Sequence, residues 1–125
     1  MEKDFRIYQE VNILRVVVTG VFSLDLCKRV VHATTKACEE HHLVRVLVDI
    51  RPMQGDLATL DRYEVGTYGA KVIPRAIALA MLERQDQISP DNFLENVLVN
   101  RGVNLRVFSD SEEALEWLEQ QARPS

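Results

Sequence analysis

The sequence predicts an α/β fold: a mixed, mainly parallel sheet flanked by helices, in the order ββαβαβαβα. Three observations predict it. Val44 to Ile50 is a short, nearly unbroken apolar run, rich in β-branched residues and followed by turn formers, as strands buried on both faces are. Helical patterns lie on either side of it and alternate with further strand-like runs. At the start of the chain, two β-forming stretches are joined only around Val11-Asn12, which makes an antiparallel hairpin.

The elements follow in order. Phe5–Glu10 and Ile13–Gly20 form the hairpin, with Val16-Val17-Val18 strongly β-forming. Ser23 or Asp25 can cap a helix running to about Glu40, whose buried stripe is Leu26, Cys27, Val30, Ala33, Thr34, Ala37 and Cys38. His41-His42 closes it, where a partly positive imidazole suits the carboxyl end of the helix dipole. The central strand Val44–Ile50 then delivers Asp49 to the carboxyl edge of the sheet, the edge where ligands of open α/β sheets gather. A second helix covers Thr59–Val72, capped by Thr59 or Asp56, and Ile73-Pro74 ends it. Ala76–Leu82 is a second central strand with small residues that let helices lie close, and Glu83-Arg84-Gln85-Asp86 is a polar loop at the same edge as Asp49. Ser89-Pro90-Asp91 starts a helix that carries Phe93, Leu94, Val97 and Leu98 on one face and stops at Gly102. Val103–Val107 alternates as an outer strand, Ser109 to Glu112 has capping-box spacing, and the last helix buries Ala114, Leu115, Trp117 and Leu118 before a frayed Arg123–Ser125 tail.

At 125 residues, one domain spanning 1–125 is expected, with a core large enough to need no staples. A net charge of −4 with acids and bases interleaved lacks the clustered Lys and Arg of a nucleic-acid surface. No signal h-region follows Met1, and no apolar run reaches the length of a membrane span, so a cytoplasmic protein is expected. Cys27 and Cys38 fall on one helix eleven residues apart, roughly 16 Å along its axis and far beyond disulfide reach, so they read as small buried hydrophobes.

Motifs for chemistry are sparse. His32, His41 and His42 lack metal-ligand spacing, Gly55 stands alone without a phosphate-binding loop, and no serine sits in a nucleophile elbow. No cofactor is implied. Asp49, Asp56, Asp61 and Glu83 could gather at one sheet edge, although such acids more often cap helices or pair with neighbours such as Arg51, Arg62 and Arg84. The Thr59–Val72 helix holds Tyr63 and Tyr68 with Gly66 and Gly69. Two glycines inside a helix cost about 1 kcal/mol each against alanine, which points to close approach, either ordinary packing on the sheet or an apolar ligand slot beside it.

Several stretches together resemble the STAS superfamily, and within it the SpoIIAA-like branch, also called STAS/SEC14-like. They are Leu47-Val48-Asp49-Ile50-Arg51, Thr59-Leu60-Asp61-Arg62-Tyr63-Glu64, Pro74-Arg75-Ala76, the run from Glu95 to Val103, and Arg106 to Asp110 with the helix after it. The run from Glu95 to Val103 is the most specific of these. The resemblance implies a single non-enzymatic STAS-type domain engaged in regulatory protein–protein interaction. In bacterial anti-sigma-factor antagonists of the superfamily, a DSSG-like motif presents a phosphorylatable serine after the central strand. Here Asp56-Leu57-Ala58-Thr59 occupies that region with Thr59 as its one hydroxyl, which argues against a kinase-controlled switch. The branch is also similar to lipid-binding CRAL-TRIO domains, which implies an alternative: a small hydrophobic ligand or lipid, with peripheral membrane contact. The implied partners are thus a protein or a small hydrophobic ligand, with a homodimer left open, and neither nucleic acid nor a membrane span. The candidate contact residues are Asp49, Arg51, Asp56, Thr59, Tyr63, Gly66, Tyr68 and Arg84.

Overall fold

The computed structural model describes residues 3–88 and 92–121. Its elements are β1 (Phe5–Glu10), β2 (Ile13–Val18), α1 (Leu24–His41), β3 (Arg45–Asp49), α2 (Thr59–Val72), β4 (Ala78–Leu82), a 3-10 turn (Gln85–Gln87), α3 (Phe93–Asn100), β5 (Asn104–Phe108) and α4 (Ser111–Gln120). The order is the expected ββαβαβαβα, and the five strands lie in the sheet in chain order. β1 pairs antiparallel with β2, while β2, β3, β4 and β5 run parallel.

This topology decides where the helices go. The three crossovers step across the sheet in the same direction, and right-handed crossovers in one direction place their helices on one face. Accordingly α1, α2 and α3 share a face, and α4, which follows the last strand, covers the other. Strand alternation then divides β3. Val46 and Val48 join the core under α1 to α3, whereas Leu47 joins the core under α4, and all three are buried. The alanines of β4 act as expected: Ala78 and Ala80 sit on the α4 side with Ala114 and Leu118, letting α4 lie close. Arg45, buried beside them, donates from Nη2 to the carbonyl of Gln121 at 2.7 Å and so ties down the end of α4.

Local signals account for the helix ends with two corrections. Ser23 caps α1, its hydroxyl accepting the Leu26 N–H at 3.0 Å, and His42 ends it in the left-handed region at φ 55° while the Leu43 N–H reaches the Cys38 carbonyl. The cap expected of Thr59 or Asp56 on α2 is absent. Ala58 occupies the N-cap position in extended backbone with no side-chain cap; Thr59 is already the first helical residue, and the Asp56 carboxylate is taken by Arg62 at 3.2 Å. The capping box expected from Ser109 to Glu112 is replaced by a shorter cap, Asp110 accepting the Glu112 N–H at 3.2 Å. The expected helix start at Ser89-Pro90-Asp91 and the Arg123–Ser125 tail lie outside the described residues.

The position of α2 matters most for function. It packs on α1 and α3 and makes no close backbone contact with any strand, so it bridges its neighbours above the sheet. Its lateral contact with α3 depends on glycine. A Cβ on Gly66 would stand 2.4 Å from Val97 Cγ1, and one on Gly69 would stand 2.9 Å from Leu98 Cδ2. The two glycines therefore serve close approach of helix to helix, and not the helix-on-sheet packing expected from the sequence.

Candidate functional site

Three features converge at the carboxyl edge of the sheet: a clamped loop, a largely apolar cleft that carries several charged residues, and an apolar chamber behind it. The loop follows β3. Asp49, at the strand end, accepts from the Arg51 N–H at 3.0 Å and from its guanidinium Nε and Nη2 at 3.0 and 2.9 Å. Arg84 reaches across from the end of β4 and donates through Nη1 to the carbonyls of Arg51 and Met53, while its fork grips Asp86. That pairing holds the Asp86 carboxyl below its ordinary range. Gln87 adds a bond from Nε2 to the Ile50 carbonyl at 2.8 Å. Asp49, Arg51 and Arg84 thus satisfy one another and the backbone, and together they fix the loop.

The cleft opens beside this loop. Asp56, Leu57 and Arg62 border it from the loop and α2, Met81 and Glu83 from β4, and Leu94 and Glu95 from α3. Glu83 is its unusual member. Two-residue alternation along β4 places Leu79, Met81 and Glu83 on the same face, so a carboxyl follows two apolar residues onto the buried side, and it is only 8% exposed. Burial, reinforced by the like charge of Glu95 and opposed by Arg62, pushes the Glu83 carboxyl up to about 7. At neutral pH this group is divided between its two protonation states.

The chamber lies under α2. A cavity of about 80 Å³ is enclosed by Val30, Val31 and Thr34 of α1, Val65, Gly69 and Ile73 on the α2 side, Leu94 and Leu98 of α3, and Val48, Leu79, Met81 and Leu105 of the sheet. Its walls are almost wholly apolar. Its polar residues are Thr34 and Thr35 of α1, and the hydroxyl of Thr34, a residue only 6% exposed, has no hydrogen-bond partner. The neighbouring Thr35 donates back to the Val31 carbonyl of its own helix at 2.9 Å, as helical threonines commonly do; Thr34 makes no such bond.

The structure separates the sequence candidates into groups. Asp49, Arg51 and Arg84 belong to the loop clamp, and Asp56 borders the cleft through its pair with Arg62. Thr59 is exposed at the start of α2. Tyr63 is exposed, its hydroxyl accepting from Arg101 Nη2 at 3.2 Å, and Tyr68 lies beneath the Lys28 ammonium. Gly66 faces Val97, so of the two glycines only Gly69 lines the chamber. Sequence reasoning did not single out Thr34 or Glu95 as site residues, and named Glu83 only as one acid among four. Signals for two of them were present: a charged residue in phase with the buried face of β4, and a hydroxyl within the apolar stripe of α1. Among the described residues no group of acids, histidines and cysteines could hold a metal ion, and no helix is long and apolar enough to cross a membrane. Cys27 and Cys38 stay protonated, burial raising both thiols to about 11.

A five-stranded, mainly parallel sheet with three helices on one face and one on the other defines a STAS-type α/β protein. The match of residues 13–119 to the SpoIIAA-like family model places it more narrowly: the chain belongs to the SpoIIAA-like family. Among solved structures, an anti-sigma factor antagonist from Mycobacterium paratuberculosis is similar with a TM-score of 0.60 at 9% identity, covering 93% of both chains. An uncharacterised protein of the DUF3478 family with a SpoIIAA-like fold, from Shewanella loihica PV-4, is similar with a TM-score of 0.52 at 17% identity over 91% of both chains. At such identities the likeness is one of fold. No curated protein matches the chain.

Proposed function

We propose that this chain is a non-enzymatic regulatory module whose carboxyl sheet edge docks a protein partner. The clamped loop carries this reading. Arg84 and Gln87 fix the backbone from Ile50 to Met53, and two exposed apolar side chains, Val21 and Leu60 at 64% and 79% exposure, stand at the same edge. Val21 is held there by its bridge to Gln54. A surface that is already ordered loses little entropy when a partner binds, so its apolar groups add affinity with little offset. The similar fold of an anti-sigma factor antagonist supports a protein partner, and the lone, exposed Thr59 supports binding without a serine phosphoswitch. The test is a photo-crosslinking residue placed at Leu60 in producing cells, with Glu116 on α4 as the control position. A discrete adduct at Leu60, absent at Glu116 and lost with Val21→Asp, is expected. No adduct at Leu60, or the same adducts from both positions, would overturn the proposal.

The chamber favours a second reading, the binding of a small hydrophobic molecule under α2. An almost wholly apolar cavity holds water poorly, since a buried water needs two to four polar partners. At about 80 Å³ the space suits part of a short chain and excludes a whole lipid tail; for scale, an apolar cavity of about 150 Å³ binds benzene.

A further inference from the structure

The ligand reading can be carried to a chemical class, because the cleft and the chamber share a wall. Met81, Leu94, Leu98 and Leu105 border both spaces. Met81 is the flexible member of that wall, an unbranched thioether that changes rotamer at low cost. Along β4 the succession Leu79, Met81, Glu83 leads from the apolar interior to the polar mouth, with Leu79 and Glu83 roughly 13 Å apart at the rise of a parallel strand.

The charges at the mouth are unbalanced. Asp56 and Arg62 form an ion pair, which leaves Glu83 and Glu95, both bordering the cleft, with no cation of their own among the described residues beyond the shared field of Arg62. The other charged groups of the neighbouring turn, Arg84 and Asp86, are bonded to each other, and Arg84 also donates to the loop carbonyls. At the far end Thr34 lines the chamber, and its hydroxyl is buried and unpartnered. A buried hydroxyl without a partner is destabilising, and a polar atom on a ligand would remove that cost.

Resting on the ligand reading, we infer that the cleft and chamber together form a site for a short aliphatic primary amine. Its ammonium sits between Glu83 and Glu95, and its chain passes Met81 under α2 and carries one further hydrogen-bonding atom to Thr34. The ammonium supplies the missing countercharge and favours ionised Glu83. A carboxylate of the same length would instead add a third like charge to the mouth.

The experiment is calorimetric titration of the full chain with 6-aminohexan-1-ol, hexylamine, hexan-1-ol and hexanoate, with the methyl NMR signals of Val48, Leu79 and Leu105 reporting entry into the chamber. The amino alcohol is expected to bind at least tenfold more tightly than hexanoate. Its ammonium stays charged near pH 6 and near pH 8, whereas Glu83, with its carboxyl near 7, is roughly tenfold more ionised at the higher pH. Affinity for both amines should therefore fall about tenfold from pH 8 to pH 6. Glu83→Gln should remove that dependence and most of the preference for amines over hexan-1-ol. Thr34→Val should remove an advantage of about fivefold that the amino alcohol holds over hexylamine, the equivalent of one ordinary hydrogen bond. If hexan-1-ol enters the chamber but amines gain nothing over it, the amine assignment fails and the ligand reading stands. If no probe perturbs the chamber methyls of the folded chain, both fail.

Discussion

The replacement Glu83→Gln tests the central electrostatic claim without any ligand. In the unfolded chain a glutamate loses its proton near the ordinary value of 4.5, whereas in the folded protein Glu83 keeps it to about 7. Across the interval between, the folded state binds one proton more than the unfolded state, so stability falls as pH rises through it. The contribution of Glu83 to stability is most favourable below about 4.5, declines to about 7, and is level above. A displacement of that size corresponds to roughly 3 kcal/mol, a large share of the 5–15 kcal/mol by which a domain is usually stable. Glutamine keeps the shape and has no charge to desolvate, so the variant should match the parent near pH 4 and exceed it near pH 8 by an amount of order 1–3 kcal/mol. Urea denaturation at half-unit pH steps measures both curves, and a carbon-detected NMR titration of the Glu83 carboxyl gives its midpoint directly. Glu95→Gln should move that midpoint down and Arg62→Gln should move it up, because the first removes a like charge and the second an opposite one. Parent and Glu83→Gln curves that run parallel from pH 4 to pH 8 would refute the reasoning, and would mean that water reaches the carboxyl.

Three further outcomes are expected. Gly66→Ala should destabilise by about 1–3 kcal/mol in spite of its better helix propensity, because the new methyl meets Val97 Cγ1 at 2.4 Å, and Val97→Ala in the same chain should relieve that contact and recover part of the loss, with Val97 Cβ still at 2.9 Å; a stabilised single variant would contradict the close α2–α3 contact. Leu47→Ala should cost roughly 2–5 kcal/mol in chemical denaturation, since the side chain is 1% exposed under α4; an unchanged midpoint would contradict the central place of β3. Thr59→Ala should change stability by less than about 0.5 kcal/mol, because the exposed hydroxyl caps nothing, and a loss near 1 kcal/mol would restore the cap that the sequence led one to expect.

Much of the architecture was legible because it rests on short-range patterns. The apolar run of β3, the Ser23 cap, and the alternation that sends Leu47 one way and Val46 and Val48 the other are all written in neighbouring residues. The helix layering also follows, once strand order is known, from the hand of the crossovers. The Thr59 cap did not follow. The two candidates, Thr59 and Asp56, flank the position that the backbone gives to Ala58, and Asp56 pairs with Arg62 instead. The site was less legible than the fold. Asp49, Arg51 and Arg84 stand out as charged residues at the functional edge of a sheet, yet in space they spend their hydrogen bonds on each other and on the loop. Glu83 looks like any loop acid until the register of β4 is followed one step further and turns it onto the buried face.

The helix α2 shows why a sequence pattern can be right about closeness and silent about what is close. Gly66 and Gly69 signalled a near neighbour, and a helix following a parallel strand ordinarily has the sheet beneath it. Here the near neighbour is α3, because Val97 and Leu98 fill the volume where glycine side chains would be. The chamber follows from the same substitution of neighbours. Lateral contact with α1 and α3 holds α2 up, and toward the sheet it offers little more than Val65, Gly69 and the following Ile73 to fill the gap. Packed interiors rarely tolerate such a gap, since its lining loses contacts that a filled core would have. Larger residues at Val65 or at the helix-facing Leu79 of β4 would close it, but the glycines could not enlarge without pushing α2 from α3. The close contact and the empty space therefore have one cause, and anything that occupies the chamber is read directly by the α2–α3 packing.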